Sequence, residues 1–142
     1  MTTLSLHSPA ATAVPLAPST SRAGTVALWA TQIVVAGMFL FSGGFKLAGV
    51  APVVLMFDAI GLGQWFRYLT GSVEVIAAVL LLTPRLAVFG ALLLIPTMIG
   101  AVVTHLFIIG GTSMPAIVLL AGSSAIAWVR RHQLAGALAR TQ

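Results

Sequence analysis

The sequence predicts an all-α integral membrane protein built as a four-helix antiparallel bundle. The 142 residues are 59% apolar and only 6% charged, whereas a soluble domain carries roughly 25% charged residues. The apolar residues also gather into four long runs, each close to the ~20 residues that a helix needs to cross a bilayer. This composition excludes an ordinary soluble domain, a disordered chain and a nucleic-acid-binding protein.

The four apolar runs lie within residues 25–130, which we interpret as one transmembrane domain. We expect helices at about residues 26–46, 66–82, 86–110 and 113–129. Each run is predicted to be helical because a segment in lipid has to satisfy its backbone hydrogen bonds internally. Pro96 lies in the middle of the third run and predicts a kink there.

The connections between the runs predict how the helices are arranged. The turns at residues 83–85 and 110–112 are short enough to force antiparallel neighbours. The segment 48–64 is longer, and we expect a short amphipathic surface helix at residues 52–59 that breaks at Gly61. A buried re-entrant loop is the alternative for this segment.

The tails and the positive charges predict an orientation. Residues 1–24, rich in Pro, Ala, Ser and Thr, are expected to form a disordered tail, and residues 131–142 a short basic tail. Lys46 and Arg67 fall on one side of the predicted membrane. Five arginines fall on the other side, namely Arg22, Arg85, Arg130, Arg131 and Arg140. Because cytoplasmic loops carry the excess of Lys and Arg, we expect a multi-pass protein of the cell (inner) membrane with both termini in the cytoplasm.

Glu74 is the most informative residue, because it lies inside the second apolar run. An ionised carboxylate in hydrocarbon is costly unless it is paired or protonated, so we expect it to face the interior of the bundle. Lys46 ends the first run, and His105 lies near the end of the third. Helix direction places all three side chains in the same half of the membrane, where they form a candidate buried polar pocket.

Four further residues are assigned supporting roles. Ser42 lies one turn before the pocket lysine, and Thr104 lies beside the pocket histidine. Gly71 shares a helix face with the carboxylate and lets another helix approach closely. Arg85, in the tight turn after the second run, is interpreted as a determinant of topology.

Each pocket residue also has a purely structural interpretation. Lys46 can anchor a helix end by extending its ammonium group to water. Glu74 can fix the helix register as part of an ion pair, and His105 can bond to a backbone carbonyl. The functional interpretation is a site for a ligand headgroup or a proton relay, because ionisable residues inside a membrane often mark such sites.

The remaining composition excludes several kinds of chemistry. The chain has no cysteine, which excludes disulfides, thiolate metal sites and iron–sulfur clusters. Its two acidic residues and three histidines are too scattered to predict a metal cluster or the paired axial ligands of a b-type haem. We therefore identify no catalytic residue, no metal site and no cofactor motif.

Short motifs stand in a characteristic order at the ends of the predicted helices. They are Phe41–Leu47 (FSGGFKL), Gly71–Glu74 (GSVE), Leu82–Arg85 (LTPR) and the late His105. In order and spacing they resemble the DoxX-like family of small four-helix bacterial membrane proteins, over about residues 25–130. That family is named for its likeness to the membrane subunit of a thiosulfate:quinone oxidoreductase. The resemblance implies a membrane partner of a redox or detoxification enzyme.

These observations predict a non-catalytic membrane subunit or partner of a redox or stress-response complex, embedded in the lipid bilayer. One alternative is a quinone-interacting oxidoreductase subunit, in which Lys46, Glu74 and His105 surround the quinone headgroup. The other is a small proton-coupled transporter. The expected partners are the lipid bilayer and either a redox enzyme or further copies of the chain, with no nucleic acid.

Overall fold

The computed structural model describes residues 22–134, and within this range the chain forms helices joined by short turns, with no strand. The helices are α1 (Arg22–Ala48), α2 (Ala51–Ile60), α3 (Gln64–Leu82), α4 (Ala87–Thr104) and α5 (Met114–Arg130), with a π-helical turn (His105–Ile109) that continues α4. The predicted all-α class is confirmed.

Within residues 22–134 three helices are long and apolar enough to cross a membrane, which supports the prediction of a membrane protein. They are α1, α3, and α4 together with its π-helical turn. The fourth predicted span, α5, has 17 residues and reaches about 26 Å, somewhat less than a hydrocarbon core of about 30 Å. The ten residues of α2 are far too few to cross.

Packing of the helices leaves an apolar outer surface. In the described chain α3 contacts α1 and α4, whereas α5 contacts α4 and α1. The shared core is made of apolar side chains, among them Ala36, Phe39, Ala78 and Leu94, each fully buried. Many large apolar side chains point outward instead, and Phe107 is 80% exposed. An apolar surface of this extent fits contact with lipid rather than with water.

Two glycines bring α1 and α3 into direct backbone contact. A Cβ atom at Gly43 would lie 2.9 Å from the carbonyl oxygen of Gly71, and one at Gly71 would lie 2.9 Å from the Cβ of Lys46. Because each glycine occupies the space that a side chain on the other helix would need, the two backbones approach more closely than larger residues permit. This contact fixes the relative register of α1 and α3.

A buried glutamine joins three elements at the opposite end of the bundle. Gln32 is fully buried; its Nε2 donates to the carbonyl of Leu81 at 2.7 Å, and its Oε1 accepts from Arg130 Nη2 at 2.8 Å. A second link lies nearby, where Gln133 Nε2 donates to the carbonyl of Pro84 at 2.5 Å. These bonds satisfy polar groups at the end of α3, which lowers the cost of burying them.

The boundaries differ from the expected ones at two helices. α1 begins at Arg22, four residues earlier than predicted from the apolar run. A helix can continue beyond its apolar segment as long as its backbone hydrogen bonds still form. The third run was expected to be one continuous helix, but its last turn is π-helical. Of the tails predicted at residues 1–24 and 131–142, residues 1–21 and 135–142 lie outside the described residues, whereas residues 22–24 belong to α1 and residues 132–134 are helical.

The segment between the first two long helices contains the expected short helix. α2 follows α1 after Gly49, which has a positive φ of 69°, and ends at Gly61, with a φ of 79°. Both values favour glycine, since a Cβ atom is strained in this left-handed region. The two turns lay α2 against α3 and the π-helical turn.

Candidate functional site

A cavity of about 540 Å³ lies between the helices and is lined by all five of them and by the π-helical turn. Most of its wall is apolar, including Met56, Phe57 and Ile60 of α2. Polar side chains reach it from α1, α3 and α4, and from the first residue of the π-helical turn. Pockets of 300–1,000 Å³ with apolar walls and a few placed polar groups are typical of sites for small organic ligands.

An ion pair forms part of the polar lining. Lys46 Nζ lies 2.7 Å from each carboxylate oxygen of Glu74 and 2.8 Å from Ser42 Oγ. The Glu74 side chain is 2% exposed and that of Lys46 13% exposed. The three donors of the ammonium group therefore meet three acceptors, which offsets much of the cost of placing two charges away from water.

The local sequence explains why these groups meet. Ser42 and Lys46 are four residues apart on α1, so they lie on the same face. On α3, Glu74 follows Gly71 by three residues and shares its face. Since Gly71 contacts Gly43 of α1, the glycine contact brings the carboxylate within reach of the lysine.

His105 opens the π-helical turn and lines the cavity. Its Nδ1 lies 2.9 Å from the carbonyl oxygen of Ala101. A carbonyl only accepts hydrogen bonds, so Nδ1 donates, and in the neutral ring Nε2 is then an acceptor. Thr104, beside it, also lines the cavity and donates its hydroxyl proton to the carbonyl of Gly100 at 2.8 Å.

The predicted site residues fall into two groups in the structure. Lys46, Glu74, His105, Ser42 and Thr104 all line the one cavity. His105 makes its hydrogen bond within α4 rather than to the carboxylate. The other two predicted residues lie elsewhere, with Gly71 in the contact between α1 and α3 and Arg85 exposed in the turn after α3.

Arg67, which the sequence predicts only as a positive charge outside the membrane, also stabilises the structure of this region. It is 4% exposed and donates from Nη1 to the backbone carbonyl of Lys46. Its Nε donates to Gln64 Oε1 at 2.6 Å, and its guanidinium lies 4.2 Å from the centre of the Tyr68 ring. The last carbonyls of any helix need donors from outside it, and Arg67 supplies one at the end of α1, but no local sequence pattern links Arg67 to that carbonyl.

A short polar chain continues from Arg67 to α2. Gln64 Nε2 donates to Asp58 Oδ1 at 2.6 Å and to the carbonyl of Val54 at 3.2 Å. The beginning of α3 is thus joined both to α2 and to the end of α1, and these bonds hold α2 against the cavity. In residues 22–134 no three His, Asp or Glu side chains come together in a way that would hold a metal ion.

Comparison with known proteins assigns the chain to a family. Neither the curated proteins nor the solved structures gave a match. The model of the DoxX-like family matches residues 30–129, a range that contains every residue named for the cavity. Since the match covers well over half of the sequence, the chain belongs to the DoxX-like family.

Proposed function

We propose that the chain crosses the inner membrane four times as an antiparallel bundle, with both termini on the cytoplasmic side. The contacts of α5 with α4 and α1 support a fourth span. Trp128, a residue type that prefers the membrane interface, lies near the end of α5 and supports a span that reaches the membrane surface there. The excess of arginines at the end of the bundle that holds Arg85 and Arg130 supports the orientation.

This topology is open to a labelling test because the natural sequence has no cysteine. Ala59→Cys places a thiol at the exposed end of α2, and Leu86→Cys places one in the exposed turn after α3 without removing a positive charge. In intact cells with a permeable outer envelope, a membrane-impermeant maleimide is expected to label the first variant and not the second. Labelling of both, or of Leu86→Cys alone, would contradict the proposed topology.

We also propose that the protein is a membrane subunit that binds a quinone headgroup in the cavity, while a redox partner protein carries out the electron transfer. The observation that carries the proposal is the cavity itself, with apolar walls for a ring and a Lys46–Glu74 pair and His105 in its lining. Its volume of about 540 Å³ is within the usual range for small organic ligands. A bound quinone supplies the two-electron, two-proton chemistry, and the residues of the chain hold and orient it.

The same geometry disfavours the transporter alternative. A proton-coupled exchanger needs a carboxylate that is free to bind either a proton or a cationic substrate. The ammonium group of Lys46 already neutralises the Glu74 carboxylate and bonds to both of its oxygens, so a cationic substrate would have to displace it, whereas a neutral donor can still use the remaining lone pairs. A need for a redox partner is supported by the absence of cysteine and of a cofactor motif from the sequence, and by the redox setting that the family resemblance implies.

The quinone proposal is tested with a cavity-filling variant and a matched control. Ala101→Phe adds a ring inside the cavity, whereas Val103→Phe adds the same ring two residues away at a position that is 47% exposed and does not line it. Each protein is purified from native membranes in mild detergent, and the extracted quinone is measured per mole of protein. Thermal melting is used to check that both variants fold.

We expect the wild-type protein and Val103→Phe to retain quinone well above the level in empty detergent micelles, and Ala101→Phe to lose it. Quinone at background level in the wild-type protein would contradict the proposal. Equal retention by both variants would also contradict it, because the quinone would then be bound outside the cavity.

A further inference from the structure

The hydrogen-bonding groups of the cavity are almost all acceptors. Lys46 is the one cation among the lining residues, and its three N–H donors are directed to Ser42 Oγ and the two carboxylate oxygens of Glu74. An ammonium group has three donors, so none is left for a ligand. The carboxylate, by contrast, offers about four lone-pair positions and has used two of them.

The three threonines of the lining have the same character. Thr70, Thr97 and Thr104 each donate the hydroxyl proton to a backbone carbonyl of the preceding turn, at 3.0, 2.9 and 2.8 Å. A hydroxyl has a single proton, so these side chains present only lone pairs to the cavity. His105 likewise donates from Nδ1 to its own helix and presents Nε2 as an acceptor in its neutral form.

Ser42 is the exception among these side chains. Its oxygen accepts from Lys46, which leaves its hydroxyl proton free to point into the cavity. The lining described here thus offers a ligand one side-chain donor against several acceptors. A polar ligand group is stable in such a site when it donates, because an acceptor placed among acceptors stays unpaired.

From this imbalance we infer that the cavity selects the reduced, hydroxyl-bearing form of its ring ligand, a hydroquinone, over the oxidised quinone. The inference rests on the quinone proposal above and specifies which form is held. A hydroquinone has two O–H donors for the carboxylate, imidazole and threonine acceptors. A quinone has two carbonyl acceptors, and Ser42 can serve only one of them.

The size of the preference follows from the cost of an unpaired group. Leaving one buried polar group without a partner weakens binding by roughly fivefold to a hundredfold. A site that hydrogen-bonds a ligand hydroxyl discriminates strongly against an analogue without that hydroxyl. This discrimination is much larger than that of an apolar pocket between ligands of slightly different shape. We therefore expect the hydroquinone to bind at least about tenfold more tightly than its quinone.

Three matched probes test the inference, namely tetramethylhydroquinone, tetramethylquinone and the dimethyl ether of the hydroquinone. Binding is measured anaerobically by equilibrium dialysis against the protein in lipid nanodiscs, with empty nanodiscs as the control for partitioning into lipid. The expected order of affinity is hydroquinone first, with the quinone and the donor-free ether at least about tenfold weaker.

Two variants locate the acceptors. His105→Phe removes Nε2 and is expected to weaken hydroquinone binding by about three- to tenfold with little effect on the ether. His132→Phe, at an exposed position beyond α5, is the matched control. Thr104→Val is the second variant, compared with Thr31→Val, whose hydroxyl makes the same bond to the preceding turn but does not line the cavity.

The outcomes separate this inference from the quinone proposal. If the quinone binds as tightly as the hydroquinone or more tightly, the selectivity is wrong and the quinone proposal stands. If neither binds above the empty nanodiscs, both are wrong. A hydroquinone preference that survives both His105→Phe and Thr104→Val would overturn the assignment of these acceptors.

Discussion

Removing one partner of the Lys46–Glu74 pair should destabilise the protein far more than removing both. The pair has two charge-assisted contacts of 2.7 Å, and its carboxylate is 2% exposed. Glu74→Leu leaves a largely buried ammonium group with Ser42 as its remaining partner, and Lys46→Met leaves a buried carboxylate unpaired. Stranding a buried charge costs about 3–5 kcal/mol, so each single variant should lose at least about 3 kcal/mol of unfolding free energy.

The double variant replaces both charges by apolar side chains of similar volume. Such replacements are often neutral or stabilising, so we expect it to lose less than either single variant. The coupling energy should then exceed about 2 kcal/mol. The unfolding free energies are measured by reversible unfolding in mixed detergent micelles, followed by the fluorescence of the three tryptophans.

A second cycle provides the control. Arg85 is exposed and lies beyond the end of α3, where the eight residues after Glu74 extend about 12 Å. Glu74→Leu and Arg85→Met should therefore be additive within about 0.5 kcal/mol. Equal additivity of Lys46→Met and Glu74→Leu would show that these two side chains do not stabilise the protein through each other.

The remaining predictions concern the residues that position the pair. Gly43→Ala should lower the unfolding free energy by about 1–3 kcal/mol, since its Cβ would lie 2.9 Å from a backbone oxygen of α3. Gly44→Ala, whose added Cβ would have nothing within 4 Å, should raise the unfolding free energy by up to about 1 kcal/mol. Equal effects of the two substitutions in the same unfolding assay would argue against a close contact between α1 and α3. Arg67→Gln should cost about 2–3 kcal/mol, because it removes a charged donor from the end of α1, and Arg85→Gln less than about 0.5 kcal/mol. A loss at Arg67 no greater than that at Arg85 would show that the buried guanidinium does not stabilise the end of α1.

The class of fold and the pairing of Lys46 with Glu74 are predictable because lipid removes most alternatives. A bilayer requires helices, so long apolar runs with few charges are enough to predict an all-α membrane protein. An acidic residue inside such a run has to find a partner, and helix direction leaves Lys46 as the charged candidate closest to Glu74. The structure joins these two residues.

Other features depend on contacts that no local pattern encodes. Arg67 resembles any interfacial arginine in sequence, and its burial follows from the glycine turn that returns α2 across the end of α1. The π-helical turn begins at His105, where the backbone N–H and the ring of this residue both bond to the carbonyl of Ala101. The spacing of apolar residues in the sequence does not reveal this shared bond. Gln32 is one polar residue in a long apolar run, and its partners come from α3 and α5.

The proposed position of the ligand, inside the bundle against the Lys46–Glu74 pair, is tested by photo-crosslinking. A quinone analogue carrying a small diazirine is irradiated with the protein in nanodiscs, and the labelled residues are identified by mass spectrometry. With the ligand in this position, we expect labels on cavity residues such as Met56, Val73 and Thr97, and their loss in Ala101→Phe. Labels confined to outward-facing residues such as Phe107, unchanged in that variant, would contradict it.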